Sequence, residues 1–107
     1  MSSILTSERL KQLLETYEVP AVYSHSASPI EPPYIAWLVP QTNNFDADNT
    51  VYQVLESFRI ELYSRVNVLQ EERELEKYLT ENGILWDKVS ETWIDEEKVM
   101  MTIYEVS

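Results

Sequence analysis

Glycine occurs once in the 107 residues, as Gly83, and cysteine not at all. A chain with a single glycine cannot build a glycine-rich phosphate cradle, which removes most nucleotide-binding designs. The lack of cysteine excludes disulfides, thiolate metal sites and thiol catalysis, and fits a reducing cytoplasm. Histidine is as scarce: His25 stands alone, so one chain cannot offer a two-histidine metal site. Basic residues are few, eight Lys and Arg against nineteen Asp and Glu, and the formal net charge is −11. So acidic a surface repels phosphate and disfavours conventional DNA or RNA binding. No apolar run approaches the roughly 20 residues that span a bilayer, and the first residues lack the basic and apolar regions of a signal peptide. These absences predict a soluble intracellular protein with no membrane contact.

What is present suits one packed domain over residues 1–107 with a modest core. Trp37, Trp86, Trp93 and seven tyrosines supply large buried areas, which argues against disorder. Leu10, Leu13, Leu14 and Tyr17 fall on one helical face, predicting a helix over about 4–17. Thr6 or Ser7 can cap it, Glu8 suits its N-terminal dipole, and Pro20 closes it. AVYSH (21–25) is short and β-prone, SASPIEPP (26–33) is a proline-rich connection, and YIAWLV (34–39) reads as a buried strand. Tyr52, Val54, Phe58, Ile60 and Leu62 alternate with Gln53, Ser57, Arg59 and Glu61, predicting a half-buried strand over about 51–63.

Residues 67–83 read as a second helix with an apolar stripe of Leu75, Tyr78 and Leu79. Asn67 and Gln70 stand at capping-box spacing, and Gly83 is where a left-handed C-terminal cap is wanted, with Ile84 folding back onto Leu79. ILWDKVSETW (84–93) and KVMMTIYEV (98–106), joined by an acidic turn, predict a hairpin. The expected fold is α+β, in the order α-β-β-β-α-β-β, a mostly antiparallel sheet with two helices on one face.

Chemistry is harder to find. His25, between a short strand and a proline-rich loop, has the setting of a surface residue. No serine lies in a nucleophile elbow, whose flanking glycines are missing. Glu71, Glu72, Glu74, Glu76 and Glu81 are interspersed with Arg73 and Lys77, the mixture of a solvated helix face. DADN (46–49) has the oxygen spacing of a calcium loop, but that loop needs glycine sixth and glutamate twelfth. Counted from Asp46 these positions hold Val51 and Ser57. The stretch is therefore read as a turn whose Asn and Asp side chains bond nearby backbone. Neither catalytic residue, metal nor cofactor is expected. Phe45, an aromatic among polar neighbours, either tucks back under its loop or anchors a neighbouring subunit.

Four segments in order carry a resemblance: VPAVYSH (19–25), EPPY (31–34), NNFDADNTVY (43–52) and FRIELYS (58–64). The chain resembles a family of small phage and prophage proteins of Gram-positive bacteria, which show (L/V)PVAYSHF…EPPF, then NNF.ADN.VY, then Y.IELYT. A weaker likeness extends over ENGILWDK and the C-terminal hairpin. The sequence departs from the family after ELYS, where RVNVLQ replaces a Lys-Asp pair. The resemblance implies a virion structural protein, a tail terminator or tail-completion subunit without catalytic or cofactor residues. Its implied partners are copies of itself in a ring, commonly a hexamer, together with the tail tube protein and the head connector. Its implied location is the neck or tail end of the virion. Asn43, Asn44, Phe45, Asp46, Asp48 and Asn49 are then the candidate subunit interface. A second reading is a small acidic inhibitor that imitates DNA, although its acids scatter among Lys and Arg rather than forming one stripe.

Overall fold

A computed structural model describes residues 5–24, 30–39 and 57–107. Helix α1 spans Ser7–Thr16, and Thr6 is its cap: its Oγ1 accepts from the Arg9 backbone N–H at 3.1 Å. Strands β1 (Ala21–Tyr23), β2 (Tyr34–Leu38) and β3 (Phe58–Ser64) follow. Helix α2 (Val68–Glu81) precedes a hairpin of β4 (Trp86–Ile94) and β5 (Val99–Val106). The element order is the one the sequence predicts. The part of the predicted third strand over 51–56 lies outside the described residues, as does His25.

The sheet order is β1-β2-β3-β5-β4. Among the described strands only β1 and β2 run parallel, so the sheet is mixed rather than wholly antiparallel. The connection 24–33 is long enough to carry the chain back to the starting edge of the sheet, which a tight hairpin turn is not. Cross-strand register aligns Ile35, Leu62, Thr102 and Glu91 in one row, and Trp37, Ile60, Tyr104 and Lys88 in the next. Directly opposed residues share a face, so both rows point to the helices. Leu10 and Leu14 of α1 join Leu75 and Leu79 of α2 over Phe58, Ile60 and Leu62 to form the core. At about 25 cal/mol per Å² of apolar surface, each such leucine contributes roughly 1.5–3 kcal/mol.

The C-terminus of α2 follows its sequence closely. Gly83 has φ +76°, its N–H donates to Thr80 O at 3.0 Å, and Ile84 N–H donates to Leu79 O at 2.9 Å. This is the two-bond left-handed cap, and Ile84 enters the core beside Leu79. The N-terminus departs from expectation. Asn67 makes no side-chain capping bond, and Gln70 Nε2 donates instead to Glu74 Oε2 at 3.1 Å. With φ −107° and ψ 61°, Asn67 lies outside the extended conformation in which a capping side chain usually reaches its N–H target.

Candidate functional site

The candidate interface residues Asn43, Asn44, Phe45, Asp46, Asp48 and Asn49 lie outside the described residues. Within the described part, charged and hydroxyl side chains converge on Glu72 and Glu76, two glutamates one turn apart on α2 that the mixed charge of the helix assigns to a solvated face. Glu72 on α2 is only 1% exposed, although mixed charge along the helix suggested a solvated face. The reason is positional. Residues 72, 75, 76 and 79 form the i, i+3, i+4, i+7 stripe that faces the sheet, and Glu72 and Glu76 occupy two of its four places.

Their carboxylates meet polar groups supplied by the hairpin. Thr102 Oγ1 donates to Glu72 Oε2 at 2.6 Å, and Lys88 Nζ donates to Glu72 Oε1 at 3.0 Å. Tyr104 OH donates to Glu76 Oε2 at 2.7 Å, with Lys88 Nζ 3.4 Å from the same oxygen. Glu91, opposite Thr102 in the register, brings a third carboxyl close enough for its charge to act on Glu72. One lysine thus faces three carboxylates, with two hydroxyls completing the set.

The electrostatics follow from this crowding. Burial works to raise the Glu72 pKa, but bonds from Glu91, Thr102 and Lys88 outweigh it and hold the group below its ordinary value. Glu91 moves up because it shares its hydrogen bond and its charge field with Glu72. Burial opposes the charge on Lys88, yet the bond to Glu72 and the charges of Glu72, Glu76 and Glu91 raise its pKa. The Tyr104 phenol is pushed up by burial and by its bond to Glu76.

The cluster is a clamp between α2 and the hairpin. Lys88 and Thr102 engage both oxygens of Glu72, and Tyr104 and Lys88 engage Oε2 of Glu76. Two described cavities lie elsewhere. One of about 190 Å³ is lined by Leu85, Trp86 and Asp87 with Ser57 and residues 105–107. The other, of about 430 Å³, lies between Tyr34, Glu31, Arg65 and Glu97. There Arg65 is engaged, with Nε and Nη2 donating to the Lys98 and Glu97 carbonyls at 3.4 and 3.3 Å and Nη1 donating to Glu31 at 3.5 Å.

Surface composition singles out β4, the outermost described strand on its side of the sheet. Val89 and Trp93 on it are 51% and 47% exposed, and Leu85 just before it is 74% exposed. Val66, just before α2, and Leu69, in its first turn, are also exposed. Alternation along 84–93 hints at a strand, but which strand is an edge depends on pairing that a single sequence does not display.

Among the described residues no helix is long and apolar enough to cross a membrane. No known protein family, curated protein or solved structure matches the chain.

Proposed function

We propose that the chain is a structural subunit of a phage neck or tail end, a ring-forming tail-terminator or tail-completion protein. The observation that carries this reading is the order of four motifs, VPAVYSH, EPPY, NNFDADNTVY and FRIELYS, in a chain of one domain's length. Two physical properties support it. A ring through which DNA passes must not grip phosphate, and a net charge of −11 repels it. Ring closure needs two different patches that meet on successive subunits. The loop of Asn43, Asn44, Phe45, Asp46, Asp48 and Asn49 is proposed as one of them, with Phe45 as its anchor. The tail tube protein and the head connector are the further partners, and the virion is the site of action.

Mass measurement over a wide concentration range tests the reading. Ring-sized assemblies are expected of the natural chain, and Phe45→Ala is expected to keep the fold while losing them. A natural chain that stays no larger than a dimer throughout, and that displaces DNA from a host enzyme, overturns the reading in favour of an acidic inhibitor.

A further inference from the structure

The β4 edge has a property that its exposure alone does not reveal. Lys88 pairs with Tyr104 and Ser90 with Ile103, so Val89 is an extra residue bulged out of the β4–β5 ladder. The bulge shifts the alternation by one. Trp86 and Lys88 before it, and Glu91 and Trp93 after it, all lie on the helix side of the sheet. Leu85, Asp87, Thr92 and Ile94 lie on the other. Leu85 and Ser107 exchange both backbone bonds, at 3.0 Å each. By the alternation of an antiparallel ladder, the backbone groups of Trp86 and Lys88 therefore turn outward, away from β5.

A second β4 laid antiparallel against this edge must match residues of the same face. For pairs that join the residues before the bulge to those after it, this holds only where the paired numbers sum to an odd value. When they sum to 179, Lys88 stands opposite Glu91 of the other copy and Trp86 opposite its Trp93. On the far face Asp87 meets Thr92, and Leu85 meets Ile94. By two-fold symmetry every pair occurs twice, with opposite charges matched, aromatics matched and no like charges opposed. Registers of 177 and 181 place Trp86 against Glu91 and Lys88 against Trp93, and so lose the charge match.

We infer that β4 is a self-complementary edge, and that a second copy of this chain pairs with it antiparallel about the Val89–Ser90 bond to make one continuous sheet. Exposed apolar side chains are then covered on both faces of the joined sheet, Trp93 on the helix side and Leu85 on the other. Lys88, on the helix side of the sheet beside Glu72 and Glu76, gains Glu91 of the other copy as a further carboxylate neighbour. This contact does not depend on the ring reading.

The absence of cysteine makes the register testable by crosslinking. Asp87 and Thr92 of opposite copies form a non-hydrogen-bonded pair, whose Cβ separation of roughly 4.5–5.5 Å lets a disulfide close after a small adjustment. Within one chain these positions are five residues apart, roughly 16 Å, and cannot join. The double variant Asp87→Cys/Thr92→Cys, oxidised with copper phenanthroline, should become covalent dimer, while either single variant should not. Sedimentation equilibrium of the natural chain should show a species of twice the 12.6 kDa subunit mass as the first step of association, ahead of any ring-sized assembly, as concentration rises. Double and single variants that crosslink equally overturn the inference, as does a natural chain that never forms a dimer. Rings found together with a double variant that fails to crosslink overturn this contact and leave the ring reading standing.

Discussion

Replacing Lys88 by methionine isolates the energetics of the clamp. The aliphatic stem is largely kept, and the ammonium 3.0 Å from Glu72 is removed. Glu72 is then an anion at 1% exposure with the hydroxyl of Thr102 and a second carboxyl as its partners. Removing one member of a buried ion pair costs about 3–5 kcal/mol, because the remaining charge stays desolvated. The Lys88 side chain is 31% exposed, so solvent already screens part of the interaction, and the lower end applies. The expected loss is about 3 kcal/mol at neutral pH, or roughly 15 °C in Tm for a domain of this size.

The loss should depend on pH in a definite sense. Without the ammonium, the desolvation that Lys88 offsets raises the Glu72 pKa above its unfolded value. Such a group contributes stability at low pH that disappears as pH rises through the folded pKa. The deficit of the variant should therefore be smaller at pH 5 than at pH 7. Urea unfolding followed by the fluorescence of Trp37, Trp86 and Trp93 measures both. A deficit under about 1 kcal/mol, or one equal at the two pH values, would refute the view that Lys88 neutralises a buried carboxylate.

Glu91→Gln should flatten the pH dependence above the ordinary carboxylate value of 4.5, because the raised pKa of Glu91 gives the natural chain stability that fades as pH rises. Urea midpoints at pH 5 and 7 for both chains check this. Gly83→Ala meets no atom within 4 Å, so its cost is backbone strain at φ +76° alone, about 1 kcal/mol by thermal unfolding. Ser64 Oγ is buried without a hydrogen-bond partner among the described residues, so Ser64→Ala should be neutral or stabilising by up to about 1 kcal/mol in the same assay. The Tyr17 phenol, raised by burial and then by Glu74 and other neighbours, should titrate at about 12 instead of 10, as read by tyrosinate absorbance. Because the folded state favours its neutral form, the corresponding stability is present below 10 and is lost as pH climbs toward 12.

Local signals in the sequence describe the fold well wherever short-range chemistry decides the outcome. The alternation of Phe58, Ile60 and Leu62, the Gly83 cap and the C-terminal hairpin are all visible in the chain and stand in the structure. The parallel β1–β2 pair is not visible, because pairing direction depends on the path of a connection and not on strand composition. The clamp is hidden for a different reason. A glutamate on a helical stripe reads as solvated until its partners are known, and Lys88, Thr102 and Tyr104 come from strands 16 to 30 residues downstream. Its one sequence trace is Glu72 and Glu76 falling into the 72–75–76–79 stripe. The self-complementary edge needs still more, since it depends on the position of a bulge.

Electron microscopy of the purified protein at high concentration tests the central claim most directly. The account predicts closed rings of uniform diameter with a central opening wide enough for duplex DNA. A field of particles no larger than dimers, under conditions where mass measurement also finds nothing larger, would contradict it.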